Sequence, residues 1–180
     1  MNRFKIFKIF CFVLSVAAAL YYPVKKVIQY EFTPCENHVF EVHGYDPYDY
    51  ARGRYLALGF QELPKELKSK LSHNKKNYAV VKEGKDGFSV VSEVIHNLDG
   101  RACTRLSKRA AYSNVIYPFS RFYINEELAP AAESVFKQAL KSRKRCALVV
   151  SLYPDGASAV RDLLVDGVSI RVLAQEEIGR

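Results

Sequence analysis

The stretch DPYDYARGRYLALGF, residues 46–60, predicts a turn followed by a strand. It decides how we expect the rest of this 180-residue chain to fold. Asp46-Pro47 favours turn initiation, because proline fixes its own φ and biases the preceding residue toward extended geometry. Gly53 tolerates a positive φ and lets a second backbone approach closely. From position 54 the side chains alternate with the period of two that is typical of a strand. The two predicted faces are Tyr55, Ala57 and Gly59 and, opposite them, Arg54, Leu56, Leu58 and Phe60.

This stretch resembles the signature of the GDYXXLXY protein family, a group of membrane-anchored bacterial domains. The matching residues are Asp46, Pro47, Arg52, Gly53, Tyr55 and Leu58. Arg54 stands where the family has an acidic residue, and Phe60 stands where the family has its final tyrosine. Two later segments also resemble the family, namely Arg121-Phe122-Tyr123 and the strand pairs near the C-terminus, so that the resemblance spans residues 35–173. It implies an exported, membrane-anchored domain of no established activity, often associated with polytopic membrane partners.

The composition favours a membrane surface over nucleic acid as a partner. The chain carries a formal charge of +8, and 49% of its residues are hydrophobic. Without the three basic residues Arg3, Lys5 and Lys8 near the N-terminus, the body carries only about +5. A mild excess of this kind suits a domain held near anionic lipid and is weaker than the charge of a typical nucleic-acid-binding domain. We therefore predict membrane lipid as a partner, and no nucleic acid, cofactor or metal.

The N-terminal segment predicts a membrane anchor over residues 1–27. Residues 9–24 contain no charged side chain, Lys25 and Lys26 follow, and a spanning helix needs about 20 apolar residues. A cleavable signal peptide is the alternative, since the small residues Ala17–Ala19 fit a cleavage site. The resemblance favours a retained single-pass anchor in the inner membrane, with the N-terminus in the cytoplasm and the C-terminal domain periplasmic or otherwise extracytoplasmic.

The rest of the chain predicts an α+β domain over residues 35–175, mainly antiparallel β, arranged as a sandwich or partly open barrel with one main helix. That helix is expected over 126–142 with Asn125 as its N-cap, and a shorter one over 64–72. Gly84 and Gly87 are expected to supply the positive φ angles of a hairpin loop. The expected strands are 38–42, 54–60, 78–82, 88–96, 112–119, 147–152, 158–165 and a returning strand at 168–173.

The candidate binding residues are aromatic and cationic. They are Tyr48, Arg52, Arg54, Tyr55 and Arg121, with Tyr45 and Tyr50 beside them. The planar fork of arginine suits carboxylates and phosphates, so this cluster predicts a groove for an anionic ligand. The structural alternative, which we favour, is that Arg52 or Arg121 pairs with Asp46 or Asp49 and locks the bend while the tyrosines pack over it.

Catalytic signals are weak in the sequence. His38, Glu41 and His43 suggest a metal site, but strand geometry places His38 on the face opposite the other two. The exported cysteines Cys35, Cys103 and Cys146 are interpreted as small buried hydrophobes. The serines Ser89, Ser92, Ser120 and Ser151 lie in no nucleophile motif. We predict no catalytic residue, although a triad is assembled in space and a sequence does not exclude one.

The sequence therefore leaves three alternative functions open. The first is a cell-envelope accessory or interaction module for a membrane partner, which should expose an apolar patch. The second is an anchored hydrolase, signal-peptidase-like or acting on the envelope, which needs a serine or cysteine in a cleft within reach of a lysine or histidine. The third is an anionic-ligand binder, which needs a pocket with converging arginines such as Arg52, Arg54 and Arg121.

Overall fold

The computed structural model describes residues 3–44, 55–72, 74–108 and 115–179. The chain forms two compact units, Met1–Pro34 and Cys35–Arg180. The first unit is a single helix, α1 (Arg3–Phe32), which contains Pro23. Its segment Phe7–Phe32 is long and apolar enough to cross a membrane, with a mean hydropathy of 1.8. The helix ends at Phe32, five residues beyond the 1–27 range predicted for the anchor.

The second unit is α+β and mainly antiparallel, as predicted from the sequence. Its first sheet has the strand order β1-β9-β10-β11. These strands are β1 (Glu36–Glu41), β9 (Cys146–Leu152), β10 (Ser158–Val165) and β11 (Val168–Ser169). The register pairs Phe40 with Leu148, and Leu148 in turn with Leu163. These apolar side chains are almost fully buried, so one face of the sheet supplies the core.

A second sheet has the strand order β5-β4-β6-β7. Its strands are β4 (Asn77–Glu83), β5 (Ser89–Ile95), β6 (Cys103–Lys108) and β7 (Val115–Ile116). Strand β5 is its edge and lies beside β1, the edge of the first sheet. Backbone hydrogen bonds connect the same two sheets at a second place. The Arg105 N–H donates to the carbonyl of Gly156 (3.0 Å), and the Cys103 N–H donates to the carbonyl of Tyr153 (3.3 Å). The two sheets therefore curve around a shared core.

The signature stretch belongs to a third, smaller group of strands, ordered β2-β3-β8. They are β2 (His43–Gly44), β3 (Tyr55–Gly59) and β8 (Arg121–Tyr123). In β3 the side chains alternate as expected, since Leu56 and Leu58 are buried while the residues between them are half-buried. Phe122 in β8 faces the same core and is 0% exposed.

In the described part of this unit the sheets are accompanied by three helices: α2 (Lys65–Ser69), α3 (Ala129–Lys141) and α4 (Ile170–Ile178). The main helix predicted over 126–142 is confirmed as α3, and its residues Ala132, Phe136 and Ala139 are buried. The predicted start of α3 is wrong: the helix begins three residues later than expected, with Leu128 rather than Asn125 at the N-cap. Asn125 instead closes the preceding turn, where its carbonyl accepts from the Leu128 N–H (3.1 Å).

The prediction of a returning strand at 168–173 is wrong. The chain leaves β11 after two residues and forms α4, whose first turn is capped by the Ser169 hydroxyl accepting from Arg171 N–H. Ile170 and Ala174, four residues apart, are both 0% exposed. A helix places residues at this spacing on one face, and packing of that face against the core selects helix over strand.

The two loop glycines between β4 and β5 have different roles. Gly87 has a φ of +77°, as predicted, whereas Gly84 is absent from the positive-φ residues in the described part of the chain. A Cβ on Gly84 would lie 2.8 Å from the Phe88 carbonyl oxygen. Gly84 is therefore required by close approach of backbone, and Gly87 by its turn conformation.

Candidate functional site

Strands β3 and β8 present an outward face that we call the signature face: Tyr55, Ala57, Arg121 and Tyr123. The register pairs Tyr55 with Tyr123 and Ala57 with Arg121. The two tyrosine rings are 5.9 Å apart between centroids, and the Arg121 guanidinium lies 4.8 Å from the Tyr55 centroid. Tyr123 is 61% exposed. The fold thus brings Tyr55 and Arg121, two of the predicted binding residues, into direct contact on an accessible surface.

A cleft of about 320 Å³ opens between the 84–88 loop and the segment that leads into α2. Its floor is aromatic: Phe40, Phe60 and Tyr117 pack with centroids 5.3–6.4 Å apart. Burial raises the pKa of the Tyr117 phenol to about 12, because the phenolate would have to form away from water. The other lining residues are Glu41, Gln61, Glu62, Leu63, Pro64, Gly84, Lys85, Asp86, Phe88, Ser89, Val90 and Val91.

At one side of this cleft a serine, a histidine and a carboxylate form a chain of contacts. Ser89 Oγ lies 3.2 Å from Nδ1 of His38 and also accepts from the backbone N–H of Val39 (3.2 Å). Nε2 of His38 lies 3.5 Å from Oε2 of Glu36, longer than an ordinary hydrogen bond. Nε2 is accordingly one of two buried side-chain polar atoms without a hydrogen bond among the described residues. The contact with Glu36 is therefore electrostatic.

The model of a family described as "GDYXXLXY protein" matches residues 21–163 of the chain, a range that includes the signature stretch. This chain belongs to the GDYXXLXY family. A search of curated proteins and a search of solved structures found no match.

The structure shows the surroundings of those signature residues that lie within the described ranges. Tyr55 points outward onto the signature face, and Leu58 is buried in the core at 5% exposure. Phe60, at the position of the final tyrosine, packs edge-on against Phe40 (6.2 Å) and Phe119 (5.3 Å). An aromatic ring satisfies this packing without a hydroxyl, so phenylalanine fits the position of the tyrosine. Asp46, Pro47, Tyr48, Arg52, Gly53 and Arg54 lie outside the described residues.

A second concavity of about 210 Å³ lies between α3 and α4 and is lined by residues that include Lys144, Glu176 and Glu177. No arginine of the described ranges lines either this concavity or the cleft. Neither of these two concavities is therefore an arginine-lined pocket of the kind predicted for an anionic ligand.

The three cysteines of the C-terminal unit differ in their exposure to solvent. Cys103 and Cys146 are buried, and burial raises the pKa of both thiols. Cys35 is exposed, so its interpretation as a buried hydrophobe is wrong.

The candidate metal residues lie on opposite faces of the chain. Phe40 and Val42 share the buried face with the mostly buried His38, whereas Glu41 and His43 are exposed. Across residues 3–44, 55–72, 74–108 and 115–179, no three His, Cys, Asp or Glu side chains gather as a metal site.

Sequence reasoning missed the Ser89–His38 pair, although it had considered both residues separately. The two are 51 positions apart and belong to edge strands of different sheets. No local motif marks such a pair. The one available signal was the alternation of β1, which turns His38 toward the inside of the domain while Glu41 and His43 point outward.

Proposed function

We propose that this GDYXXLXY protein is a single-pass, membrane-anchored interaction module whose C-terminal domain works outside the cytoplasm on a membrane partner. The signature face is the surface by which it binds that partner. The observation that carries the proposal is the outward face of the signature strand β3 and its neighbour β8, where the Arg121 guanidinium stacks on Tyr55 beside the exposed Tyr123.

Helix α1 supports the anchoring. At about 1.5 Å per residue, the 26 residues of Phe7–Phe32 extend about 39 Å, against a hydrocarbon thickness of about 30 Å. We assign the length in excess of the hydrocarbon layer to the C-terminal turns of the helix. There Lys25 lies 5.9 Å from the Tyr21 ring centroid, and Lys26 lies 5.3 Å from the Tyr30 ring centroid. Tyrosine and lysine side chains are favoured at the membrane interface, and we assign these turns to the head-group layer on the outer side.

The signature face supports binding. Tyrosine and arginine are enriched at the energetic centres of protein interfaces, because they bury a large surface and still make polar contacts. Stacking of the Arg121 guanidinium on Tyr55 holds both side chains in place before a partner arrives, which reduces the entropy lost on binding. We propose a polytopic membrane protein as the partner. Its extracytoplasmic loop would offer an apolar side chain to Tyr123 and would pack against the Arg121–Tyr55 stack.

Site-specific photo-crosslinking in the native membrane tests this proposal. A benzophenone amino acid at Tyr123 should capture a discrete membrane protein, and Arg121→Ala should weaken that crosslink. The same probe at Leu98 is the control, since Leu98 is also exposed (45%) but lies in a loop outside the signature face. Equal capture from both positions, or none from Tyr123 in intact membranes, would contradict the assignment of this face.

A further inference from the structure

We propose that the cleft beside β1 and β5 is a serine-esterase site, with Ser89 as nucleophile, His38 as general base and Glu36 as a positioning residue. The substrate class is an uncharged or cationic carboxylic ester with a short apolar acyl group. This inference goes beyond the binding role of the signature face and does not depend on it.

The hydrogen bonds around Ser89 leave its hydroxyl proton available to His38. The Val39 N–H donates to Ser89 Oγ, and Nδ1 of His38 lies 3.2 Å from the same oxygen. In the imidazole tautomer that carries its proton on Nε2, Nδ1 accepts the Ser89 hydroxyl proton and Nε2 lies 3.5 Å from the Glu36 carboxylate. A nucleophile bonded to a base, with a carboxylate beside the base's second nitrogen, is the arrangement that activates serine for acyl transfer.

The surroundings set the substrate. Ser89 is one of the residues that line the cleft, and we place the ester substrate there. The aromatic floor and the valines beside Ser89 suit an apolar acyl chain, and a volume of about 320 Å³ limits that chain to a short one. Among the charged lining residues, Glu62 is already paired with Lys68 Nζ (2.6 Å), which leaves Glu41 and Asp86 against Lys85. This excess of negative charge disfavours an anionic substrate.

The reaction balances with water as the only co-reactant. Ser89 Oγ attacks the ester carbonyl carbon while its proton passes to Nδ1 of His38. The bond from that carbon to the alcohol oxygen breaks, and the departing alkoxide takes the proton from Nδ1. Water then attacks the acyl-serine by the same proton transfer, which releases the carboxylic acid and restores the Ser89 hydroxyl.

The direct test is covalent labelling of the full-length protein in non-ionic detergent with a fluorophosphonate probe. Peptide mapping of the wild-type protein should place the adduct on Ser89, which requires no variant to fold. Ser89→Ala should abolish labelling. Ser92→Ala is the matched control on the same strand, because the Ser92 hydroxyl donates to the Val80 carbonyl (3.1 Å), and labelling should persist. A folded wild-type protein that takes up no probe, or takes it up at another serine, overturns the proposal.

Hydrolysis of p-nitrophenyl butyrate separates the roles of the other two residues. His38→Asn keeps a polar group near Ser89 but removes the base, and should lower kcat by about 10²- to 10⁴-fold. Glu36→Gln should lower kcat with KM and Tm unchanged, since the Glu36 side chain is 69% exposed and contributes little to packing. If His38→Asn hydrolyses the ester as fast as the wild type, Ser89 and His38 form only a structural link between two strands.

Discussion

Replacing Gly156 by alanine should destabilise the domain far more than the same change at another turn glycine. Gly156 lies in the turn between β9 and β10 with a φ of +81°. A Cβ at this position would lie 2.5 Å from Cε1 and 2.7 Å from Cδ1 of Tyr78. The Tyr78 ring is 7% exposed, and the Gly156 carbonyl accepts the Arg105 N–H that helps to join the two sheets. Neither the ring nor the turn therefore has room to move.

The magnitude follows from two separate terms. An alanine held at positive φ costs about 1–2 kcal/mol relative to glycine. Forcing a methyl group into a packed aromatic ring costs about 1–3 kcal/mol more. The expected loss in the free energy of unfolding is therefore roughly 2–5 kcal/mol, which lowers Tm by about 4 °C or more in a domain of this size.

Gly167→Ala is the matched control. Gly167 has nearly the same φ, +83°, but nothing lies within 4 Å of the position its Cβ would take. This variant should lose only the backbone term. Urea unfolding of the full-length protein in detergent, followed by tyrosine fluorescence because the chain has 12 tyrosines and no tryptophan, measures both variants.

A double-mutant cycle isolates the steric term. In a Tyr78→Ala background, Gly156→Ala should cost no more than Gly167→Ala, because the ring that its Cβ would meet is gone. Equal destabilisation by Gly156→Ala and Gly167→Ala in the wild-type background would refute the claim that the ring of Tyr78 closes off this turn.

Two further predictions concern buried titratable groups. The pKa of the Tyr117 phenol is about 12 in the fold against 10.0 for a free tyrosine, so its contribution to stability is complete below pH 10 and is lost as the pH rises from 10 to 12; Tyr117→Phe should flatten that alkaline decline in urea titrations, and an unchanged decline would contradict the burial argument. A thiol reagent at neutral pH should modify exposed Cys35 quickly and reach Cys103 and Cys146 only after denaturation, because both thiols are buried with raised pKa values; rapid modification of either buried thiol in the folded protein would show that the core opens.

The sequence by itself determined the elements whose hydrophobic pattern has one interpretation. The alternation of Leu56 and Leu58 identified the signature strand and its buried face. The eight residues of β10 ended at a hairpin turn that Asp166-Gly167 specifies, and both residues have the positive φ angles such a turn requires. The buried stripe of α3 followed from apolar residues that recur three or four positions apart. In each case the signal lies within one segment, so neighbouring residues suffice to read it.

Only the tertiary structure decided the features that depend on residues distant in sequence. The sequence predicted a strand over 168–173, and packing of Ile170 and Ala174 against the core selected a helix from Ile170 onward. Ser89 and His38 meet because the edges of two sheets come together, and Arg121 lies over Tyr55 because β8 pairs with β3. Contacts of this kind arise when a whole core is buried at once, and no single stretch of the chain encodes them.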